Sequence, residues 1–172
     1  MLNKLAKEIN DIAKEKGWHD EERTFGEYCA LFHAEISEAL EEYRSGKELT
    51  KLYFSRNKPE GVPIELADVI IRILDYCGQY DIDIDERMTK IIDIVDQFAG
   101  IPANIGDFLA EFHNRISKAY NDYVSLREYH LAVVISMIYY FCELYKIDIE
   151  KAISLKITYN RTREYRHGGK II

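Results

Sequence analysis

The sequence contains an internal repeat, and this feature restricts the fold more than any other. Residues 24–43 align without gaps to residues 104–123, and eight of these twenty positions are identical. Residues 66–88 align in the same way to residues 131–153, with ten identical positions among twenty-three. Self-similarity of this kind is typical of a structural unit that packs against its own copy. We therefore predict two related halves that pack as one compact unit.

Both copies have the apolar periodicity of helices. Apolar residues recur at helical spacing almost throughout the chain, strand-like alternation is absent, and only three Pro residues occur. The pattern predicts an all-α bundle with helices at about 2–16, 24–46, 63–80, 84–99, 104–123, 126–145 and 148–163. A polar loop of about twenty residues is predicted between the second and third helices, and loops of such length are often functional.

The predicted fold is thus a tandem-duplicated helical bundle. The first repeat covers residues 1–100 and the second covers residues 101–172. Residues that cap helix N-termini well support several of the predicted starts, namely Thr24, Asp148 and either Asp83 or Asp85.

Two acidic motifs lie on the second and third predicted helices. They are Glu35-x-x-Glu38 and Glu65-x-x-Asp68. Residues three apart on a helix project from one face, so each motif presents two carboxylates side by side. Both motifs lie among apolar residues, and a bare charge is costly to bury. A hard divalent cation is a common means of holding four carboxylates together, although a solvated helix face is the alternative interpretation.

The two copies of the repeat differ at the acidic positions and agree at the apolar positions around them. In the alignment, each acid corresponds to a residue of different chemistry: Glu35 aligns with Arg115, Glu38 with Lys118, Glu65 with His130 and Asp68 with Val133. The apolar positions persist in the second copy while all four carboxylates are replaced. This asymmetry indicates that the acids serve a site, and that the second copy is a structural partner.

The donor types restrict the metal that such a site would bind. Four oxygen donors without His or Cys favour Mg²⁺, or Mn²⁺, over zinc. Mg²⁺ usually keeps several waters and contacts substrate phosphates, so we expect a nucleotide substrate. The three Cys residues have no zinc-binding spacing, and their apolar neighbours indicate reduced thiols in the core of a cytoplasmic protein.

The C-terminal segment 156–170 is cationic and is interrupted by two Gly residues. Its Lys, Arg and Asn side chains are suited to binding phosphate oxygens. The alternative is a solvated basic tail, and for Arg161 and Arg166 both interpretations remain open.

Taken together, these motifs resemble those of the MazG-like, all-α nucleoside triphosphate pyrophosphohydrolases. The resemblance is carried by the ExxE motif, by KPEGVPIELADVIIRILD and by the ending YNRTREYRHGGK, within residues 17–39, 58–84 and 156–170. ExxE alone is a weak signal, whereas the combination is specific. The chain departs from the family pattern because a degenerate copy, residues 104–153, precedes the closing motif.

The resemblance implies a role for ten residues. The catalytic residues, which would also hold Mg²⁺ or Mn²⁺, would be Glu35, Glu38, Glu65 and Asp68. The substrate-binding residues would be Lys156, Asn160, Arg163, Lys170, Lys58 and Trp18. Water would attack the α-phosphorus of a (d)NTP and release pyrophosphate and a (d)NMP, which would suit removal of non-canonical nucleotides. The carboxylate that orients the water is left open, with Glu41 and Glu42 as further candidates.

Other functions remain open at the level of sequence. A dUTPase-like or a phosphoribosyl-ATP-cleaving specificity would use the same chemistry, and a non-catalytic nucleotide-binding protein is a different class. A di-iron bundle needs Glu-x-x-His pairs on core helices, and the one such spacing here is Glu164…His167 in the Gly-rich tail. We expect a homodimer, with a monomer as the alternative. The sequence leaves open whether the basic segment reaches the acids of its own chain.

Charge and hydropathy exclude further classes. The net charge is −7 at pH 7, which disfavours nucleic-acid binding because a basic surface is needed for it. Charged residues interrupt the longest apolar runs, and the N-terminus lacks the apolar core of a signal peptide. We therefore expect a cytoplasmic protein that does not associate with a membrane.

Overall fold

The computed structural model describes residues 1–91 and 104–170, apart from the side chain of Ser125. These residues form eight helices and one two-stranded hairpin, so the prediction of an all-α fold is confirmed for them. The helices are α1 (Leu2–Glu15), α2 (Phe25–Arg44), α3 (Val62–Gln79), α4 (Ile84–Thr89), α5 (Ile105–Asn121), α6 (Val124–Leu144), α7 (Ile149–Thr162) and the short turn α8 (Arg166–Gly169).

The connection between α2 and α3 corrects one prediction, because it is not an irregular loop throughout. Strands β1 (Tyr53–Ser55) and β2 (Lys58–Glu60) pair antiparallel within it. The turn residues Arg56 and Asn57 have φ values of 48° and 71°. Positive φ at both central positions gives the turn twist that suits a two-residue hairpin. Strands of three residues are too short to show alternation in the sequence, which explains why the hairpin was not predicted.

Side-chain caps begin four of the described helices, at positions close to the predicted starts. Thr24 and Glu27 form a reciprocal capping box at the start of α2. Asn104 caps α5, and Asp148 caps α7. Of the two candidates at α4, Asp83 is the cap. The predicted continuation of the fourth helix to residue 99, and the boundary between the two predicted repeats, lie outside the described residues.

The core is organised around α3 and α6. Helix α3 packs against α1, α2 and α7, while α6 packs against α5 and α4. Buried apolar residues from all of these helices form one contiguous cluster. Within residues 1–91 and 104–170, no helix has both the length and the apolar character that a membrane span requires.

The helices that follow α3 and α6 in the chain exchange their packing partners. Helix α4 follows α3 but packs mainly on α6, whereas α7 follows α6 but packs on α3. Between these pairs, α2 lies against α5. The crossing of α7 matters for function, because it carries the cationic C-terminal segment to the helix that bears Glu65 and Asp68.

Candidate active site

A cleft lies between α1, α2, α3 and α7, and the C-terminal turn α8 borders it. Its empty volume, including the open mouth, is about 1040 Å³. Nine of the ten residues that the sequence singled out line the cleft: Trp18, Glu35, Glu38, Lys58, Asp68, Lys156, Asn160, Arg163 and Lys170. The tenth residue, Glu65, joins them through a carboxylate cluster. Residues far apart in the chain are thus brought to one place.

Three carboxylates converge at one wall of this cleft. Glu35, Glu38 and Glu65 each place an oxygen so that all three atoms lie within 4.8 Å of one another. Glu35 and Glu65 are only 5% and 2% exposed, while Glu38 faces solvent. Three oxygen donors at this spacing, one of them open to water, form the kind of site that a hard divalent cation occupies.

The backbone before α3 fixes the position of Glu65. Gly61 precedes the helix with a φ of 115°, and its carbonyl accepts hydrogen bonds from the amides of Ile64 and Glu65. A side chain at Gly61 would collide with the carbonyl oxygen of Lys51. Only glycine combines this φ with this close approach, so the turn that introduces the ExxD motif depends on it.

Glu65 shows that the donor set fits a cation. Its Oε2 atom is buried and has no hydrogen-bond partner among the described residues. Burial, and then the negative charge of Asp68, raise the pKa of Glu65 to about 8. A buried carboxylate oxygen without a donor needs a proton or a cation for compensation. Oxygens of Glu35 and Glu38 lie within 4.8 Å of an oxygen of Glu65, and a metal ion satisfies such a convergence of carboxylates.

Asp68 does not belong to this convergent group. It forms an ion pair with Lys156, and the two residues are 7% and 4% exposed. Burial raises the pKa of Asp68, and the ammonium of Lys156 opposes this effect. The sequence grouped four carboxylates as equivalent ligands, whereas the structure brings three together and gives the fourth a lysine partner.

Arg72 lines the cleft and was not singled out from the sequence. Its Nε donates to Oε1 of Glu35 at 2.5 Å. Arg72 lies one helical turn beyond Asp68, so both share the face of α3 that borders the cleft. A single cation within the apolar run VIIRIL, spaced in this way from Glu65 and Asp68, was the signal available in the sequence.

The six residues predicted to bind substrate differ in their contacts. Lys156 pairs with Asp68, and Lys58 pairs with Glu60 at 2.9 Å. Among the described residues, the Oδ1 of Asn160 is buried without a hydrogen-bond partner. Arg163 lies over the ring of Tyr159, with 5.6 Å between the guanidinium carbon and the ring centroid. Two of the predicted substrate-binding cations, Lys156 and Lys58, therefore already neutralise acids of the protein.

Trp18 lies in the loop between α1 and α2 and is held there by its neighbours. The guanidinium of Arg23 is 5.4 Å from the ring centroid, and the ring of His167 meets it edge-on at 4.7 Å. The next residue, His19, bonds to the carboxylate of Asp75 at 2.8 Å. His19 thereby anchors the loop that carries Trp18.

The basic C-terminal segment serves the acids of its own chain. Lys156 on α7 forms an ion pair with Asp68 on α3, and Asn160 on α7 and Arg163 directly after it line the same cleft. The open question of whether this segment reaches its own chain's acids is thereby answered.

Comparison of the chain with protein-family models, curated proteins and solved structures finds no match. The resemblance to the MazG-like family therefore rests on the motifs in the sequence.

The positions that align with the acids in the second copy have different surroundings. Arg115 pairs with Glu111 at 2.7 Å, and His130 pairs with Asp122 at 2.8 Å. Val133 and Met137, which align with Asp68 and Arg72, are fully buried among apolar residues. These aligned positions therefore contribute to packing and to local ion pairs, and they supply no carboxylate.

Proposed function

We propose that this chain is a Mg²⁺-dependent nucleoside triphosphate pyrophosphohydrolase of the MazG-like type, which cleaves a (d)NTP to a (d)NMP and pyrophosphate. The observation that carries the proposal is the unpartnered oxygen of Glu65 within the cluster of Glu35, Glu38 and Glu65. Arg163 and Lys170 line the same cleft. A cleft that combines a carboxylate cluster with free cationic side chains suits a substrate that consists of a phosphate chain with its metal ion.

The proposal includes an internal tandem duplication. His33 and His113 occupy aligned positions, and their Nδ1 atoms are 2.7 Å apart where α2 meets α5. Contact between equivalent residues is expected where a two-fold axis relates two equivalent halves. The crossed packing of α4 on α6 and α7 on α3 has the same symmetry. These contacts support a single chain that reproduces a pair of subunits and retains one acidic site.

The residues have distinct tasks in this proposal. A bound Mg²⁺ supplies charge neutralisation and lowers the pKa of a water ligand. Glu35, Glu38 and Glu65 would hold it. Arg72 orients Glu35 through their hydrogen bond. Lys156 keeps Asp68 in place, and Asp68 is then available to accept a proton from the attacking water.

The cationic, amide and aromatic side chains of the cleft would bind the phosphates and the base. Asn160, Arg163 and Lys170 would donate hydrogen bonds to phosphate oxygens. Trp18 and the apolar residues of α1, such as Ile9 and Ile12, line the remaining wall. That surface suits the flat, apolar faces of a nucleobase.

Pyrophosphate release tests the function directly. The full chain with Mg²⁺ should release pyrophosphate from at least one member of a panel of NTPs, dNTPs, dUTP, phosphoribosyl-ATP and modified nucleotides. Glu38→Gln should abolish the release, because it replaces the solvent-facing carboxylate of the cluster with a neutral amide. Glu41→Gln is the matched control. Glu41 was a candidate from the sequence for orienting the water, but it is exposed, pairs with Arg44 on the same helix and is not among the residues that line the cleft. Absence of turnover across the whole panel would contradict the proposal.

A non-catalytic nucleotide-binding protein is the second candidate. One observation favours it, namely that Glu35 and Asp68 already have cationic partners in Arg72 and Lys156. Binding of a nucleotide with Mg²⁺, without pyrophosphate release, would support this alternative.

A further inference from the structure

The C-terminal turn α8 has an unusual backbone. Arg166, His167, Gly168 and Gly169 all have positive φ values, between 46° and 98°. The turn is closed by hydrogen bonds from the amide of Gly168 to the carbonyl of Tyr165 and from the amide of Lys170 to that of Arg166. Left-handed conformations are unfavourable for residues with a side chain, and such strain clusters at ligand-binding sites.

The turn is docked on the loop that carries Trp18. The amide of Arg166 donates to the carbonyl of Lys16 at 2.9 Å, and its Nε donates to the carbonyl of Gly17 at 3.2 Å. The hydroxyl of Tyr165 donates to Asp20. Gly17 has a φ of 77°, and a side chain there would collide with the ring of Tyr165. Arg166, whose role the sequence left open, therefore holds the turn to the body of the protein.

The docked turn places His167 on the wall of the cleft. Its ring lies against Trp18, and the charged groups that act on it most strongly are four cations: Arg163, Lys170, Arg72 and Lys156. Burial, and then these positive charges, lower the pKa of His167 to about 3. The imidazole is therefore neutral near pH 7 and keeps one N–H donor.

Two of the four cations near His167 lack an acidic partner. Arg72 and Lys156 are paired with Glu35 and Asp68, respectively. In the described part of the chain, neither Arg163 nor Lys170 forms an ion pair. The end of the cleft at His167 thus has an excess of positive charge that an anion would compensate.

We propose that His167 is an anion ligand of the cleft, which binds a condensed phosphate group together with Arg163 and Lys170, and that Arg166 is the positioning residue that holds it there. The identification of that phosphate group as part of a nucleotide substrate rests on the proposed function. The binding of the phosphate chain itself does not rest on the proposed function, because it depends only on the turn and the cationic residues beside it.

The chemistry of the ligand follows from the donors. A neutral imidazole N–H, a guanidinium and an ammonium group provide several hydrogen bonds to phosphate oxygens, and those from the cations are charge-assisted. Arg163 directly follows α7, while His167 and Lys170 lie on either side of the glycine pair. Because the donors are spread in this way, a chain of linked phosphates suits them better than a single carboxylate.

Binding of inorganic tripolyphosphate to the full chain, without added metal and with a chelator present, tests the proposal. Calorimetry gives the affinity, and Trp18, the single Trp of the chain, gives a fluorescence signal beside the site. His167→Ala should weaken binding by about tenfold or more, because it removes a hydrogen bond to a charged group. His167→Gln should retain most of the affinity, since its amide can donate from a similar position.

Arg161→Ala is the matched control. Arg161 belongs to the same cationic segment, but it pairs with Glu8 outside the cleft. This variant should bind tripolyphosphate as the wild type does. Unchanged affinity in His167→Ala would overturn the role of His167, and equal losses in all three variants would show that only the overall charge or stability of the segment matters.

Arg166→Ala tests the positioning role separately. It removes the contacts to Gly17 and Glu21, so the affinity should fall about as far as in His167→Ala. The double variant should bind no more weakly than either single variant, because both changes remove the same interaction. Additive losses, or no loss in Arg166→Ala, would overturn the positioning role.

The results also separate this inference from the proposed function. If the wild type releases no pyrophosphate from any nucleotide but binds tripolyphosphate through His167, the function fails and the anion site stands. If the wild type is active but His167→Ala binds tripolyphosphate normally, the anion site fails and the function stands.

Discussion

At the scale of single residues, the ion pair between Asp68 and Lys156 connects the stability of the molecule to its cleft. Both residues are almost completely buried, at 7% and 4% exposure. Breaking a buried pair by removing one partner is usually costly, because the other charge stays uncompensated. Here the penalty is limited by the raised pKa of Asp68, since this carboxyl can take up a proton instead.

The first prediction concerns this pair. Lys156→Met should lower the free energy of unfolding by about 3 kcal/mol at pH 7.5, as measured by urea denaturation. The loss should be smaller at pH 5, where Asp68 is protonated. Lys151→Met, on the exposed face of the same helix, should change the stability by less than about 0.5 kcal/mol. A Lys156→Met protein as stable as the wild type would show that the pair makes no net contribution.

At the scale of elements, the approach of α1 to α3 depends on a small residue. A Cβ atom at Gly78 would lie 2.6 Å from the carbonyl oxygen of Ala6 and 2.7 Å from the Cβ of Asn10. Both contacts are shorter than van der Waals distance, and one is to backbone that cannot move aside. The carboxylates on α3 keep their places only if this helix packs in its present register.

The second prediction follows from this contact. Gly78→Ala should destabilise the protein by about 2 kcal/mol, because overpacking forces the two helices apart. Gly106→Ala is the control, since the one atom near its added Cβ is the Oδ1 of Asn104 at 3.2 Å. Its stability should change by less than about 1 kcal/mol. Thermal unfolding of both variants measures the difference, and equal effects would contradict the close approach.

The contact of α2 with α5 gives a third prediction. Burial lowers the pKa of His33 and of His113 below 6.5, and the proximity of His33 lowers that of His113 further. The unfolded chain therefore binds more protons than the folded chain as the pH falls below about 6.5. Stability from this pair should be present above that pH and be lost progressively below it.

Denaturation at pH 7.5 and pH 5.5 measures this effect. The wild type should lose more unfolding free energy between the two pH values than the double variant His33→Gln, His113→Gln, which keeps a hydrogen-bonding pair without a titrating group. Equal losses in the two proteins would assign the pH dependence to other groups.

At the scale of the whole molecule, cation binding should be linked to folding. The three carboxylates converge only in the folded chain, because Glu65 lies on a different helix from Glu35 and Glu38. A ligand that binds only the folded state stabilises it by mass action. A substitution at any of these three carboxylates would then change how much the cation stabilises the entire fold.

The fourth prediction uses this linkage. At a Mg²⁺ concentration of about ten times the dissociation constant, unfolding should require roughly 1.4 kcal/mol more than without the ion. Glu38→Gln should remove this gain, and Glu41→Gln should keep it. The midpoint of thermal unfolding with and without Mg²⁺ or Mn²⁺ is the measurement. No shift with either ion at millimolar concentration would count against the metal site. The homodimer remains a prediction for size measurements in solution.

Local interactions were sufficient to predict where several helices begin. Helical periodicity and the caps at Thr24 and Asp148 are recognised from a few neighbouring residues. Motif spacing places Glu35 with Glu38 on one helix face, and the motifs together with the resemblance indicated nine of the residues that line the cleft. The hairpin was missed because three-residue strands carry too little pattern.

Which of these residues meet depends on contacts between distant parts of the chain. Arg72 binds Glu35 from 37 positions away, and Arg166 reaches Gly17 across 149 positions. Such pairs depend on how whole helices pack. Because α7 packs on α3, Asp68 forms an ion pair with Lys156, while the other three acids converge. The docking of α8 on the loop that carries Trp18 likewise places His167 on the wall of the cleft. Local chemistry fixed which groups were available, and long-range packing fixed their partners.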